Sequence, residues 1–253
     1  IPATEMCAFL ANYSSALFTA GSTCIRLEKN ITRIAEAYGM TVEFTILPRH
    51  IHLTVRDCDY HDVVTAITSI GEGPISFEVN TILSKLSWQI ADGKIGFTEA
   101  RETLNRLLKV PHKDLFNLPL IVSCANASFC ALFGGDWVAM CVVFVATFVG
   151  YVLKIMLAKK SVDYRLTVIL CSFVSAVLAT GDGLFGLGST PDIAVATSVL
   201  YLVPGIPFIN SFSDMLDRHY ICAFGRLMNA VVLTFCLSFG WAVAMLMMGV
   251  KLF

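Results

Sequence analysis

The sequence predicts a membrane protein in two parts, an N-terminal cytoplasmic α+β domain followed by a bundle of five transmembrane α-helices. Three observations carry this expectation. Of 253 residues, 56% are hydrophobic and only 15% charged, and the mean hydropathy is +0.72, outside the range of an ordinary soluble domain. Charge is unevenly spread, with no glutamate beyond Glu102, so the two parts meet different solvents. The second part is built of long apolar stretches, and a helix needs roughly 20 such residues to cross the hydrocarbon core. The boundary falls between 113 and 114, giving a cytoplasmic domain of 1–113 and a transmembrane domain of 114–253.

In the first part, residues 5–20 and 24–38 have helical periodicity. Gly21-Ser22-Thr23 supplies a stop and an N-cap between them, and Gly39 a C-terminal signal, which predicts a helical hairpin. Segments 41–47, 50–57 and 62–70 alternate with β-branched residues. Pro48-Arg49 and Cys58-Asp59-Tyr60 separate them, which predicts a three-stranded meander. Helices over 77–91 and 98–108 follow, the second with Thr98 as its cap, and Pro111 ends the domain. No internal repeat is visible. The chain opens at Ile1 on a mildly amphipathic stretch without a signal-peptide pattern, which places an N-terminal cytoplasmic part first.

In the second part the expected spans are 115–133, 137–157, 165–180, 192–212 and 226–250. Lys109 and Lys113 precede the first, Lys159, Lys160 and Arg165 lie between the second and third, and Arg218 and His219 between the fourth and fifth. The other two loops hold no Lys or Arg. By the positive-inside rule the N-terminus is cytoplasmic and the C-terminus outside.

The fourth span is interrupted by Pro204-Gly205-Ile206-Pro207. Each proline removes an N–H and clashes with the preceding turn, so the helix is expected to stop near Leu202 and restart at Pro207. Irregular backbone survives at membrane depth only where it is buried in protein or lines a cavity. A restarted half-helix presents free N–H groups and the positive end of its dipole, which suits a carboxylate. A transport pathway follows, with the break about 20 Å from the outer end and so on the cytoplasmic side of the midplane. A proline kink that only shapes packing is the bland alternative.

Other residues attach to that pathway. Tyr201 stands just before the break, and Asn210 and Asp214 share a face beyond it. Asp214 is the candidate coupling group, against an ordinary surface pair with Arg218. Arg226 offers a bidentate fit to a carboxylate or a plain interfacial anchor. In the first span Ser123, Ala127, Ala131 and Gly135 form a small-residue stripe for helix packing, and Asn126 beside it lines the pathway or bridges helices.

Several classes are excluded or set second. Net charge is −1 with no basic cluster interleaved with aromatics, so no nucleic-acid partner is expected. Five of the nine cysteines, Cys124, Cys130, Cys141, Cys171 and Cys236, sit in apolar runs and read as small hydrophobes. No cysteine pair has zinc spacing. His50 and His52 share a strand face near Asp57, Asp59 and His61, but without a second ligand pair, so neither metal nor cofactor is expected. A membrane-anchored hydrolase lacks a Gly-x-Ser-x-Gly elbow or an HExxH, and no Walker-type phosphate loop is present for ATP-driven transport. A non-transporting accessory subunit stays open, since it predicts the break packed rather than lining water.

Ala20-Gly21-Ser22 ahead of Arg26 and Glu28, then Val55-Arg56-Asp57, then Phe133-Gly134-Gly135-Asp136-Trp137, then Leu202-Val203-Pro204-Gly205 with Asn210 and Asp214, resemble the threonine/serine exporter family across nearly the whole chain. The span number resembles that family's split branch, which implies a second small membrane subunit or a homo-oligomer as partner in the lipid bilayer. The resemblance implies secondary export of a small metabolite from a bacterial inner membrane, threonine or serine or a dicarboxylate such as succinate. Arg26, Glu28, Arg56 and Asp57 match the family pattern and take a gating or docking role on that ground, with structural ion pairing as the alternative.

Overall fold

The computed structural model describes residues 1–57, 62–71, 73, 75–109, 117–186 and 188–249. Asp59, His61, Pro111, Lys113 and the first residues of the expected first span lie outside these. Two compact units result. One combines Ile1–His112 with Ile206–Met228, the other Lys113–Gly205 with Asn229–Phe253. The segment Ile206–Met228 thus belongs with the N-terminal residues although it lies far along the sequence.

The first unit opens with α1 (Ala3–Thr19) and α2 (Cys24–Ala37), then the strands β1 (Thr41–Ile46), β2 (His50–Arg56) and β3 (Val63–Ser69), then α3 (Phe77–Ala91) and α4 (Phe97–Lys109). The strands form an antiparallel meander in the order β1-β2-β3, with Phe44 facing Leu53 and Leu53 facing Ala66. Central β2 decides the sheet's sidedness. Ile51, Leu53 and Val55 are fully buried and alternate with His50, His52 and Thr54, as period-two geometry requires. Their inner face packs on Leu10 and Leu17 of α1, Leu27 and Ile31 of α2, and Leu83 of α3 in one core. Gly39, at φ 69°, closes α2 in the left-handed conformation that glycine tolerates best. Thr98 does not cap α4, because the helix already includes Phe97 and its first hydrogen bond runs from Ala100 N–H to the Gly96 carbonyl.

To this unit belong also α9 (Gly205–Leu216) and the first residues of α10 (Tyr220–Met247).

The second unit holds α5 (Leu118–Leu132), α6 (Trp137–Lys159), α7 (Tyr164–Phe185), α8 (Pro191–Thr197) and the remainder of α10. Helices α6, α7 through Gly181, and α10 are long and apolar enough to cross a membrane, and the broken pair Pro191–Leu202 and Gly205–Leu216 raises the count to four. Helix α5 is apolar with 15 described residues, shorter than a span, so the described helices give three or four spans where the sequence suggests five. Interhelical hydrogen bonds tie the unit. Ser172 Oγ donates to the Leu237 carbonyl at 2.9 Å, and Ser175 Oγ to the Ala146 carbonyl at 3.2 Å. Gly240 lies against the Ile169 carbonyl and Gly150 against the Tyr201 and Ser175 hydroxyls, positions with no room for a Cβ.

Candidate functional site

The break expected in the fourth apolar segment is present, and it is longer than two prolines require. Helix α8 ends at Thr197, a single 3₁₀ turn covers Leu200–Leu202, and Val203 is extended at φ −62°, ψ 126°. The ring of Pro204 disfavours a helical conformation for the residue before it, which accounts for Val203. Helix α9 restarts at Gly205, two residues earlier than expected. Pro207 then falls in the first turn, where a missing N–H removes no intrahelical bond. Pro204 is buried, Gly205 exposed and Pro207 half-buried.

Helix α9 is polar inward and apolar outward. Ile209, Phe212 and Leu216 stand 69%, 59% and 84% exposed, whereas Asp214 and Ser211 are buried. The inward groups all engage the turn between α1 and α2 or the helix α10. Asn210 Nδ2 donates to the Gly21 carbonyl at 2.9 Å. Asp214 Oδ1 accepts the Cys24 backbone N–H at 2.8 Å across 190 residues of sequence. Thr23 precedes that N–H but makes no side-chain cap, so α2 receives its capping carboxylate from α9.

Asp214 Oδ2 lies 2.9 Å from Arg226 Nη1, making its charge partner Arg226 rather than Arg218. That contact is an ion pair without hydrogen-bond alignment, since neither atom has a hydrogen-bond partner. Arg226 Nη2 donates to the Ser22 carbonyl at 2.6 Å, and the guanidinium sits 4.3 Å from the centre of the Phe18 ring. Arg218 instead terminates α9 at φ 65°, with the next N–H, of His219, bonding back to the Asp214 carbonyl at 2.8 Å. His219 Nε2 lies 3.4 Å from Glu28 Oε2.

A further grouping was not expected from spacing. The sulfurs of Cys24 and Cys222 and a carboxylate oxygen of Asp214 lie within 4.8 Å of one another, all three residues buried. Cys24 opens α2 and Cys222 lies in the first turn of α10, so no local motif announces the set.

The remaining expected residues divide. Arg26 donates to Asn80 Oδ1 at 3.0 Å, and Arg56 pairs with Glu43 at 3.0 Å between β2 and β1. The Asp57 backbone N–H bonds to the Asp62 carbonyl at 3.2 Å. Asn126 spends its amide on helix bridging, donating to Thr147 Oγ1 at 2.7 Å and to the Thr197 carbonyl at 3.1 Å. Tyr201 and Ser175 share a hydroxyl hydrogen bond at 3.0 Å. Of the small-residue stripe, Ser123 and Ala127 are buried while Ala131 is exposed, and Asn126 and Cys130 complete the buried face. A strict four-residue repeat drifts by about 40° per step on a helix of 3.6 residues per turn, which carries Ala131 off the contact. Gly135 lies tight against Cys130 beyond the helix end.

The Gly134-Gly135-Asp136 turn proves to be a clamp. Asp136 caps α6 by accepting from Ala139 N–H at 2.7 Å, and accepts from the Ser189 N–H at 2.6 Å and hydroxyl at 2.9 Å. The Ala139 N–H, followed by the two Ser189 donors, holds its carboxyl down to about 2.

Two described cavities are of ligand size. One of about 360 Å³ is bordered by Ala127, Trp137, Met140 and Phe144, and one of about 320 Å³ by Phe44, Ile46, Arg218, His219 and Cys222. Neither touches Pro204, Gly205 or Asn210.

Comparison with known proteins bears on the whole chain. Residues 8–248 match the family described as "Putative threonine/serine exporter". A protein of Klebsiella aerogenes named "Probable succinate transporter subunit YjjP" is 28% identical over 98% of this chain and 95% of its own length. The protein of the same name from Escherichia coli is 30% identical over 52% of each chain. No solved structure matches. With the family pattern running from α1 to the last helix, the chain belongs to the threonine/serine exporter family.

Proposed function

We propose that this chain is one subunit of a secondary-active exporter of a small carboxylate-bearing metabolite, threonine or serine or a dicarboxylate such as succinate. It works by alternating access in a bacterial inner membrane, five-spanning, with the N-terminus cytoplasmic and the C-terminus outside. A second small membrane subunit of the same family, or further copies of the chain, complete the pathway. The names of the two relatives support both the subunit character and succinate as the first substrate to try.

The observation that carries the reading is the broken segment whose second half is latched by buried charge. Pro204 to Pro207 leaves the N-terminal end of α9 as the carboxylate receptor, with Tyr201 just before the break in sequence. Asn210, Asp214 and Arg226 form the latch that sets whether α9 holds the α1–α2 turn. In this reading Asp214 couples transport to conformation by holding Arg226, and Arg26, Glu28, Arg56 and Asp57 lie on the surrounding docking faces. A proton gradient is the proposed driving force, which an uncoupler tests independently of any residue.

The test is efflux of labelled succinate, threonine and serine from proteoliposomes holding this chain, the second subunit, or both. Export only with both is expected, and export by this chain alone overturns the split arrangement. Asp214→Asn is expected to lower export at least about tenfold, about 1.4 kcal/mol of lost state discrimination; unchanged export removes the latch from the mechanism. One observation favours a second reading, in which the chain regulates a pathway formed by its partner: Pro204 is buried and the Asn210 amide is bonded to the Gly21 carbonyl. A cysteine placed at Gly205 separates the two. Labelling by a water-soluble thiol reagent that substrate suppresses supports the transporter, and labelling indifferent to substrate supports the accessory subunit.

A further inference from the structure

We propose that Cys24, Cys222 and Asp214 form a binding site for one soft divalent metal ion of the zinc class. Their ligand atoms already lie within 4.8 Å of one another. Donors on a tetrahedral ion with bonds of ~2.0–2.3 Å stand about 3.3–3.8 Å apart, so modest side-chain rotation closes the set on an ion. All three are shielded from water, at 0%, 2% and 0% exposure for Cys24, Cys222 and Asp214. Ligands arriving from the start of α2, the last turn of α9 and the first turn of α10 make this a junction rather than a sequence motif.

A second observation points to a ligand. Asp214 Oδ2 is completely buried and accepts no hydrogen bond, although Arg226 Nη1 lies 2.9 Å away. A carboxylate offers about four lone-pair positions, and here only the Cys24 N–H takes one in good geometry. Acceptor capacity therefore remains on an atom with no water to use it.

Charge balance selects the ion. With both thiols protonated, the Asp214 carboxylate and the Arg226 guanidinium cancel. With both thiols ionised around a divalent cation, two thiolates and one carboxylate cancel against the cation and Arg226. Metal uptake thus exchanges two protons for one divalent ion and leaves no net charge buried, whereas a monovalent or trivalent ion would leave one, at a cost of several kcal/mol. Thiolate donors favour zinc and similar soft or borderline ions over magnesium or calcium. Three protein ligands leave the fourth position to one neutral water entering with the ion, as in open zinc sites. The ion would fasten the same three elements that Asp214 and Arg226 already join, whatever the chain transports.

The test uses the full chain in detergent, reduced with a phosphine, and titrated with cobalt(II). A thiolate-to-cobalt charge-transfer band is expected, saturating at about one ion per chain with about two protons released and displaced by zinc. Cys24→Ser and Cys222→Ser are expected to weaken binding more than about tenfold, while Cys171→Ser leaves it unchanged. For variants that fold poorly, alkylation of the unaltered chain in mild denaturant, where the buried thiols open, serves instead: zinc should protect Cys24 and Cys222 and no other thiol. No band, a band that survives in both serine variants, or equal alkylation with and without zinc each overturns the site. So does the loss of two hydrogens with Cys24 joined to Cys222 in place of metal uptake.

Discussion

The two units bury opposite kinds of side chain. Among the described residues the largest fully buried side chains all lie in the α+β unit, among them Met6, Leu10, Tyr13, Ile31 and Leu53. In the other unit no described fully buried side chain is larger than valine, Ser123, Ala146, Thr147, Ser172 and Ala176 among them, and bulky groups point away: Leu132 and Trp137 are each 80% exposed and Phe235 72%. In water, packing large apolar groups inside is the main source of stability. Lipid chains are as apolar as leucine, so burying leucine between membrane helices gains little, and close approach of small residues with interhelical hydrogen bonds takes its place. The contrast teaches that each unit was selected against a different solvent. Helix α9 marks the change, lying in the first unit yet wearing an apolar outer face.

Substitutions can break or sharpen that contrast. Asp214→Ala strands Arg226, 15% exposed on its side chain, beside a hole and should cost ~3–5 kcal/mol in chemical denaturation of the full chain. Leu53→Ala, in the centre of the aliphatic core, should cost ~2–5 kcal/mol by the same measurement. Gly240→Val should cost ~1–3 kcal/mol in detergent melting, because the added carbons meet the Ser172 hydroxyl and also the Ile169 backbone, which cannot step aside. If Leu53→Ala were harmless while Gly240→Val was severe, the first unit would be packing by the membrane rule. Asn126→Leu should lower stability by only ~0.6–2 kcal/mol, the scale of one interhelical polar contact in lipid.

The smallest effect belongs to Asp136. A carboxyl held near 2 in the folded chain contributes stability that is complete above its unfolded value of about 4 and is lost as pH falls through 2. Melting of the chain against Asp136→Asn should therefore differ at pH 7 and converge below pH 2, with no change between pH 5 and 8.

The sequence made the α+β meander readable because β2 alternates without exception and Gly39 ends α2 where the left-handed turn falls. The break was readable because prolines act locally, whatever surrounds them. The latch was only half readable. Asn210 and Asp214 share a face by spacing alone, but the choice of Arg226 over Arg218 depends on Arg218 being used to turn the chain at φ 65°. The Cys24–Cys222–Asp214 cluster had no local signal, since metal-ligand spacing rules find ligands that are neighbours in sequence. Its one hint was a cysteine directly after a helix cap, opposite an aspartate placed four residues beyond Asn210.

The capping of α2 by Asp214 also sets an order of events in biogenesis. Cys24 leaves the ribosome 190 residues before its acceptor. At ~5–20 residues per second that interval is roughly 10–40 s. Through it the helix start stays uncapped, beside Phe18 and without the arginine that will cover it. The α+β unit is thus finished only after most of the apolar helices have been made, so the late arrival of α9 reports that α5 through α8 have been synthesised.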